Sequence, residues 1–124
     1  MAVKLLIIDD EEFIRLPIQD YFEDCGWTVF TFNNGEDALK YLEKENADCV
    51  IADMRLHGMT GIEFIIKANL LRPGIRYVIY SGAIDSSIAY ELNKAGIFNY
   101  AIVIKPAFDL DELRIALEAK SKGA

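Results

Sequence analysis

Five short runs of apolar residues alternate along this chain with amphipathic segments of helical period. Short, continuous apolar runs between polar residues are typical of strands buried on both faces, as in parallel sheets covered by helices. The predicted strands are Val3–Ile8, Trp27–Phe32, Asp48–Ala52, Arg76–Tyr80 and Ala101–Ile104. The predicted helices are Glu11–Asp24, Glu36–Glu45, Gly61–Leu71, Ser86–Lys94 and Leu110–Lys120.

This alternation predicts an α/β fold. Five strand–helix units with short, right-handed connections give a doubly wound domain, in which a five-stranded parallel sheet has helices on both faces. We predict the strand order 2-1-3-4-5, which is the flavodoxin-like arrangement. No linker, repeat or low-complexity segment interrupts the pattern, so we expect residues 1–124 to form a single domain.

Composition and charge narrow the class of protein. The chain has 124 residues, enough for a hydrophobic core without disulfide or metal support. A formal net charge of −7 argues against direct binding to nucleic acid or to an anionic membrane. No apolar run approaches the ~20 residues of a membrane span, and no signal peptide is evident. We therefore expect a cytoplasmic protein.

The two cysteines have no close-spaced motif. Cys49 lies within an apolar run, so we interpret it as a small buried hydrophobic residue rather than as a metal ligand or half of a disulfide. We also assign the aromatic residues Phe13, Phe30, Phe32, Tyr41 and Phe64 to the core.

Polar side chains follow four of the predicted strands. Asp9 and Asp10 follow the first strand, Asp53 the third, Ser81 the fourth and Lys105 the fifth. The carboxyl ends of parallel strands lie at one edge of a sheet, and in this strand order ligands bind between strands one and three. The sequence therefore predicts one crevice that contains three carboxylates, a hydroxyl and an ammonium group.

Three carboxylates in one crevice need cations to compensate their charge. At ~4 Å and an effective dielectric constant near 20, each pair repels by roughly 4 kcal/mol. Lys105 supplies one positive charge, and a divalent ion held by Asp9 and Asp10 would supply the rest. Mg²⁺ suits such a site because it binds a few carboxylates together with waters and phosphate oxygens. The absence of a Cys or His cluster in the sequence argues against zinc.

Asp53 stands alone at its strand end and is the natural nucleophile toward a phosphoryl donor. Lys105 would pair with one phosphoryl oxygen, and Ser81 would donate a hydrogen bond to another. Phosphoryl transfer depends mainly on positioning and on charge stabilisation at these oxygens, which this set of residues provides.

The chain resembles the receiver domain of two-component response regulators from Val3 to about Lys120. The resemblance is carried by Ile7-Ile8-Asp9-Asp10-Glu11, Asp53-Met54-Arg55-Leu56, Thr60-Gly61, Ser81-Gly82-Ala83, Ala95-Gly96 and Lys105-Pro106. It implies that Asp53 accepts a phosphoryl group from a phosphohistidine on a sensor histidine kinase or a histidine phosphotransfer protein. It also implies slow autodephosphorylation, and a cis peptide bond before Pro106.

The resemblance further implies that Mg²⁺ is bound by Asp9, Asp10, Asp53 and the backbone carbonyl of Arg55. Phosphorylation would switch the face formed by the fourth helix, the fifth strand and the fifth helix, which an output domain or a target protein would recognise. Residues 1–124 would then be a single receiver domain, with no output domain in this chain.

The sequence departs from the family pattern at Ile102, where an aromatic residue usually stands three positions before the lysine. The segment from Gly96 to Lys105 is also about two residues longer than usual, so either Tyr100 takes over the aromatic role or the usual coupling is altered. We favour altered coupling. His57 stands where proline is common, and we interpret it as an exposed loop residue rather than a general base.

Two alternative functions remain open. A degenerate receiver would bind partners without phosphorylation. An aspartyl-phosphate phosphatase would share the nucleophile chemistry, although such enzymes resembling the haloacid dehalogenase group carry Asp-x-Asp at the first strand, where this chain has Asp9-Asp10-Glu11.

Overall fold

The computed structural model describes residues 3–122, which form a parallel sheet between two layers of helices. The strands of this sheet are β1 (Lys4–Ile8), β2 (Thr28–Phe32), β3 (Cys49–Ala52), β4 (Arg76–Ser81) and β5 (Tyr100–Ile104). The helices are α1 (Glu12–Asp24), α2 (Gly35–Lys44), α3 (Gly61–Leu71), α4 (Ser87–Lys94) and α5 (Asp111–Lys122). Counting these five strands only, the order is β2-β1-β3-β4-β5 with every pair parallel. The predicted fold class is confirmed.

The core has one layer on each face of the sheet, because side chains alternate between the two faces along each strand. Leu6 and Ile8 of β1 face α2, α3 and α4, where they join buried residues such as Phe64. Leu5 and Ile7 face α1 and α5 in the second layer. Within residues 3–122, no helix is long and apolar enough to cross a bilayer.

The assignments of Phe64 and Cys49 to the core are confirmed, whereas those of Phe13 and Phe30 are wrong. Phe64 and Cys49 are fully buried, whereas Phe13 is 71% exposed. The buried side chains of α1 are Ile18 and Phe22, one turn apart, and Phe13 lies outside that stripe of the helix.

Capping residues determine where α2 and α3 begin, at the edge of the sheet that carries the polar residues. Asn34 caps α2 by accepting a hydrogen bond from the backbone N–H of Asp37. Thr60 and Glu63 form a capping box at the start of α3. Between β3 and α3 a small antiparallel hairpin pairs residues 55–56 with residues 59–60, a feature that the sequence pattern did not predict.

The strand register sets where the polar residues emerge. Ile8 of β1 pairs with Ala52 of β3, so Asp9 and Asp53 leave the sheet at the same level. Ser81 pairs with Ile104 at the end of β5, and Lys105 follows immediately. Ser81 is itself the last residue of β4, one residue beyond the predicted end of that strand.

Candidate functional site

The ammonium group of Lys105 bridges two carboxylates at the edge of the sheet. Its Nζ lies 2.7 Å from Oδ2 of Asp9 and 2.8 Å from Oδ2 of Asp53. Asp9 and Asp53 are both buried, and the Lys105 side chain is only 13% exposed. Along the chain, Lys105 lies 96 residues after Asp9 and 52 residues after Asp53. The predicted convergence of Asp9, Asp53 and Lys105 is therefore present in the structure.

The surroundings of Asp53 keep its carboxyl group ionised. Burial acts to raise the pKa of Asp53, but the hydrogen bond from Lys105 and the Ser81 hydroxyl oppose it. The charge of Lys105 and the backbone N–H of Arg55, whose nitrogen lies 3.3 Å from Oδ1, act in the same direction. The net result is a lowered pKa, so Asp53 is a carboxylate at neutral pH, as a nucleophile must be.

Lys105 is held in its charged form by the same contacts. Burial acts to lower the pKa of Lys105, and the hydrogen bonds and charges of Asp53 and Asp9 outweigh it, so that the pKa is raised. The Nζ atom also lies 5.7 Å from the centre of the Tyr80 ring. A cation thus stands between the two buried carboxylates and offsets their repulsion.

Ser81 lies on the same crevice and is almost fully buried. The crevice is open, has a volume of about 390 Å³, and is lined by Glu11, Asp53, Arg55, Ser81, Gly82, Ala83 and Lys105. The Ser81 hydroxyl oxygen accepts a hydrogen bond from the backbone N–H of Ala83 at 3.1 Å. This contact uses only the oxygen of the hydroxyl group, so its hydrogen can be donated on the crevice side, where Ser81 interacts with the Asp53 carboxylate.

Asp9, Asp10 and Glu11 form the acidic cluster suited to a metal ion. One carboxylate oxygen from each lies within 4.8 Å of the others; Asp9 is buried, and Asp10 and Glu11 are exposed. A set made only of carboxylate oxygens fits a hard cation such as Mg²⁺ or Ca²⁺. Sequence reasoning placed Asp9 and Asp10 here but missed Glu11, although its place in the Asp-Asp-Glu run was a usable signal.

Two further contacts that the sequence did not reveal hold the turn after β1. The backbone N–H of Glu11 donates to Oδ1 of Asp9 at 3.0 Å. The Arg15 guanidinium donates to the backbone carbonyl of Asp9 at 2.6 Å. Both Asp9 carboxylate oxygens are thereby engaged, because Oδ2 already accepts from Lys105. These hydrogen bonds therefore hold the turn after β1, and with it the Asp9 carboxylate, in place beside Asp53.

Gly61, the first residue of α3, lies directly against the backbone of Asp53. A Cβ atom at this position would collide with the carbonyl oxygen of Asp53 and would lie 3.1 Å from the Cα of Met54. The Gly61 N–H donates to the Met54 carbonyl at 2.7 Å. The start of α3 thus supports the segment that carries Asp53, and only glycine permits this approach.

Asp10 and His57 are not among the residues that line the crevice of Asp53. Both line a second open groove of about 520 Å³, together with Asn33, Asn34, Glu36, Asp37, Lys40 and Gly58. His57 is exposed, as expected, and is not among the residues that line the Asp53 crevice. The Lys105–Pro106 peptide bond is cis, as the resemblance implied.

Comparison with known proteins gives a consistent result. A family model described as "Response regulator receiver domain" matches residues 5–118. Sporulation initiation phosphotransferase F of Bacillus subtilis is 33% identical over 118 residues, which cover 95% of this chain and 93% of that protein. The DNA-binding transcriptional regulator NtrC of Escherichia coli is 29% identical over 106 residues, which cover 86% of this chain but 22% of NtrC.

Solved structures share the fold. A response regulator from Burkholderia pseudomallei, determined with a phosphorylated aspartic acid, a calcium ion and citrate, has a TM-score of 0.84 and 25% identity. The match covers 98% of this chain and 70% of that one. This chain therefore belongs to the response regulator receiver domain family of two-component signalling.

Proposed function

We propose that this receiver domain accepts a phosphoryl group on Asp53 from a phosphohistidine of a partner protein. The observation that carries the proposal is the Lys105 ammonium, 2.8 Å from Asp53 at the mouth of an open crevice. A carboxylate with a lowered pKa is the nucleophile, and a cation beside it can neutralise charge on the incoming group.

The transfer exchanges one bond to phosphorus for another. An Asp53 carboxylate oxygen forms the new O–P bond while the P–N bond to the histidine ring breaks, and the ring nitrogen keeps the electron pair. Lys105 would then pair with one phosphoryl oxygen, and Ser81 would donate to a second. Water attack on phosphorus later returns Asp53 to the carboxylate and releases inorganic phosphate.

We propose Mg²⁺ as the cation of the acidic site. Asp9, Asp10, Asp53 and the backbone carbonyl of Arg55 would hold it; Asp9 and Asp10 belong, together with Glu11, to the acidic cluster described above. When bound, the ion neutralises charge on phosphoryl oxygens. The calcium ion of the Burkholderia pseudomallei relative supports a divalent, oxygen-seeking ion.

The proposed phosphodonor is a sensor histidine kinase or a histidine phosphotransfer protein in the cytoplasm. The proposed output is a change on the face of α4, β5 and α5 that a target protein or an output domain recognises. NtrC, in which the matching region is 22% of the protein, illustrates a receiver within a longer regulator, whereas the Bacillus subtilis relative is matched over 93% of its length.

Intact mass spectrometry tests the proposal directly. Incubation with acetyl phosphate and Mg²⁺ is expected to add one phosphoryl mass to the wild type and none to Asp53→Asn. Asp48→Asn is the matched control. Asp48 lies just before β3, at the opposite end of that strand from Asp53, and accepts a hydrogen bond from the backbone N–H of Lys4. This variant is expected to be phosphorylated like the wild type.

The same assay separates the alternatives. No added mass in the wild type, with several small phosphodonors, would contradict the proposal and favour a degenerate receiver. Multiple turnovers of a generic phosphate ester would favour a phosphatase. Phosphorylation that persists in Asp53→Asn would place the acceptor elsewhere.

A further inference from the structure

Lys105 lies in a short segment that leaves the sheet after β5. The backbone N–H of Lys105 donates to the carbonyl oxygen of Ser81 at 3.0 Å, and Pro106 has no N–H group to donate. The next N–H, that of Ala107, donates to the hydroxyl oxygen of Tyr80 at 2.8 Å. Two consecutive residues at the end of β4, Tyr80 and Ser81, therefore hold residues 105–107 against that strand.

Tyr80 is itself fixed by packing. Its side chain is 5% exposed and belongs to the core layer under α1 and α5, where Ala107 is partly buried as well. In the sheet, Tyr80 pairs with Val103 of β5, two residues before Lys105. A tyrosine side chain rotates about only two bonds, so packing of the ring also determines where the hydroxyl group lies.

The ring of Tyr80 lies beside the ammonium group of Lys105. The Nζ atom is 5.7 Å from the ring centre, within the range at which a cation is attracted to an aromatic face. The same ammonium group donates to Asp9 and Asp53. When Asp53 takes up a phosphoryl group as proposed, Lys105 exchanges a carboxylate contact for a phosphoryl oxygen. The ring of Tyr80 takes no part in that exchange and stays beside the ammonium group.

The Tyr80 side chain lies outside the crevice in which the reaction is proposed. Successive side chains of a strand face opposite sides of the sheet, so Tyr80 faces the layer under α1 and α5 while Ser81 faces the other side. Ser81 and Lys105 line the crevice of Asp53, and Tyr80 is not among the residues that do. The Tyr80 side chain can therefore act on the reaction only through Lys105 and the segment that follows it.

We propose that Tyr80 is a positioning residue for phosphoryl transfer: its hydroxyl group holds the backbone after Lys105, and its ring holds the ammonium group beside Asp9 and Asp53. The effect on transfer rests on the proposed function, whereas the contacts with Lys105 belong to the unmodified protein. A lysine side chain is long and flexible, and small misplacements of a reacting group reduce a rate strongly. The two contacts restrict the ammonium group to the place that an incoming phosphoryl group reaches.

The restraint on Lys105 can be measured in the unmodified full chain. NMR of isotope-labelled protein gives the rate at which the Lys105 ammonium protons exchange with water. Tyr80→Phe removes the hydroxyl group and keeps the ring, and loss of one hydrogen bond predicts about three- to tenfold faster exchange. Tyr80→Leu, which also removes the ring, is expected to exchange faster still.

Tyr21→Phe is the matched control for this measurement. The Tyr21 hydroxyl group bonds to Asp111 and Arg114, and its ring packs against the same core layer as Tyr80. This variant is expected to leave exchange at Lys105 unchanged. Equal exchange at Lys105 in Tyr80→Phe and Tyr21→Phe overturns the restraint.

Intact mass spectrometry with acetyl phosphate and Mg²⁺ measures the effect on transfer. Tyr80→Phe is expected to take up the phosphoryl group about three- to tenfold more slowly than the wild type, and Tyr21→Phe at the wild-type rate. In a Lys105→Ala background, Tyr80→Phe is expected to slow uptake no further, because the group through which Tyr80 acts is missing.

Two results overturn the positioning role. One is uptake at the wild-type rate by Tyr80→Phe, whatever the rate of Lys105→Ala. The other is the same fold reduction by Tyr80→Phe with and without Lys105, since that would reflect a general loss of structure. Failure of the wild type to take up any phosphoryl group would instead contradict the proposed function, and the exchange measurement would still decide whether Tyr80 restrains Lys105.

Discussion

The hydroxyl of Tyr77 is a polar atom in an apolar layer of the core. The side chain is fully buried, and its oxygen has no hydrogen-bond partner among the described residues. Burial raises the pKa of Tyr77, so the group is a neutral phenol. An unpaired buried hydroxyl costs about 1–3 kcal/mol. We expect Tyr77→Phe to raise the free energy of unfolding by about 1 kcal/mol, as measured by urea denaturation.

Tyr80, three residues after Tyr77 in β4, differs from it because its hydroxyl group has a hydrogen-bond partner. Its hydroxyl oxygen accepts a hydrogen bond from the backbone N–H of Ala107 at 2.8 Å. Tyr80→Phe would leave that donor without its partner, so we expect this variant to lose about 1 kcal/mol of stability. Equal effects of the two substitutions would show that the partner of the hydroxyl does not decide its contribution.

Single residues of the site could be predicted from sequence where they follow an apolar run. Asp9, Asp53 and Lys105 were placed correctly because strand ends share one edge of a parallel sheet. The unpaired Tyr77 hydroxyl could not be predicted, because it depends on which atoms surround it in three dimensions. The exposure of Phe13 was missed because the buried stripe of α1 passes through its neighbour Ile14 instead.

At the scale of elements, Gly61 is the position at which α3 approaches the segment that follows β3. A glycine at the first turn of a helix usually costs stability, and alanine would gain up to about 1 kcal/mol from helix propensity. Here the added methyl group would collide with the Asp53 carbonyl oxygen, and such overpacking costs about 1–3 kcal/mol. We expect Gly61→Ala to lower the free energy of unfolding, measured by denaturation, and to slow the proposed phosphorylation of Asp53, measured by intact mass.

Gly82→Ala is the control for this prediction. A Cβ atom at Gly82 would have no neighbour within 4 Å, so its stability should stay within about 0.5 kcal/mol of the wild type. A Gly61→Ala variant as stable as Gly82→Ala would contradict the close approach of α3 to Asp53.

Elements of ordinary length were predictable, and very short ones were not. Within residues 3–122, the five strands of the large sheet and the five helices lie within two residues of their predicted bounds, because each has a clear hydrophobic period. The hairpin at residues 55–60 has strands of two residues, which are too short to show any period. The groove that Asp10 shares with His57 was missed for a related reason, since it is built by three separate loops together with helix α2.

At the scale of the whole molecule, chemical modification of the two cysteines can measure how often the fold opens. Cys25 is exposed, and Cys49 is fully buried in β3. Burial raises the pKa of the Cys49 thiol to about 11, against a smaller opposing effect of Arg76. At pH 8 the reactive thiolate of Cys49 is therefore scarce, and it becomes abundant only as the pH rises toward that value.

We expect iodoacetamide at pH 8 to modify one cysteine of the native protein rapidly and both cysteines in denaturant. Cys25→Ser should show no rapid modification in the native state, and mass spectrometry gives the count. Rapid labelling of Cys49 in native Cys25→Ser would mean that β3 opens far more often than a central strand should.

Lys105 follows β5, so the three charged groups of the site can come together only after the polypeptide has been synthesised through β5. A nascent chain that has emerged only as far as α4 already contains both buried aspartates but lacks the ammonium that bridges them. Such an incomplete chain would contain two mutually repelling carboxylates without the Lys105 ammonium group between them. Under the proposed function, this domain therefore becomes able to accept a phosphoryl group only when β5 has joined the sheet.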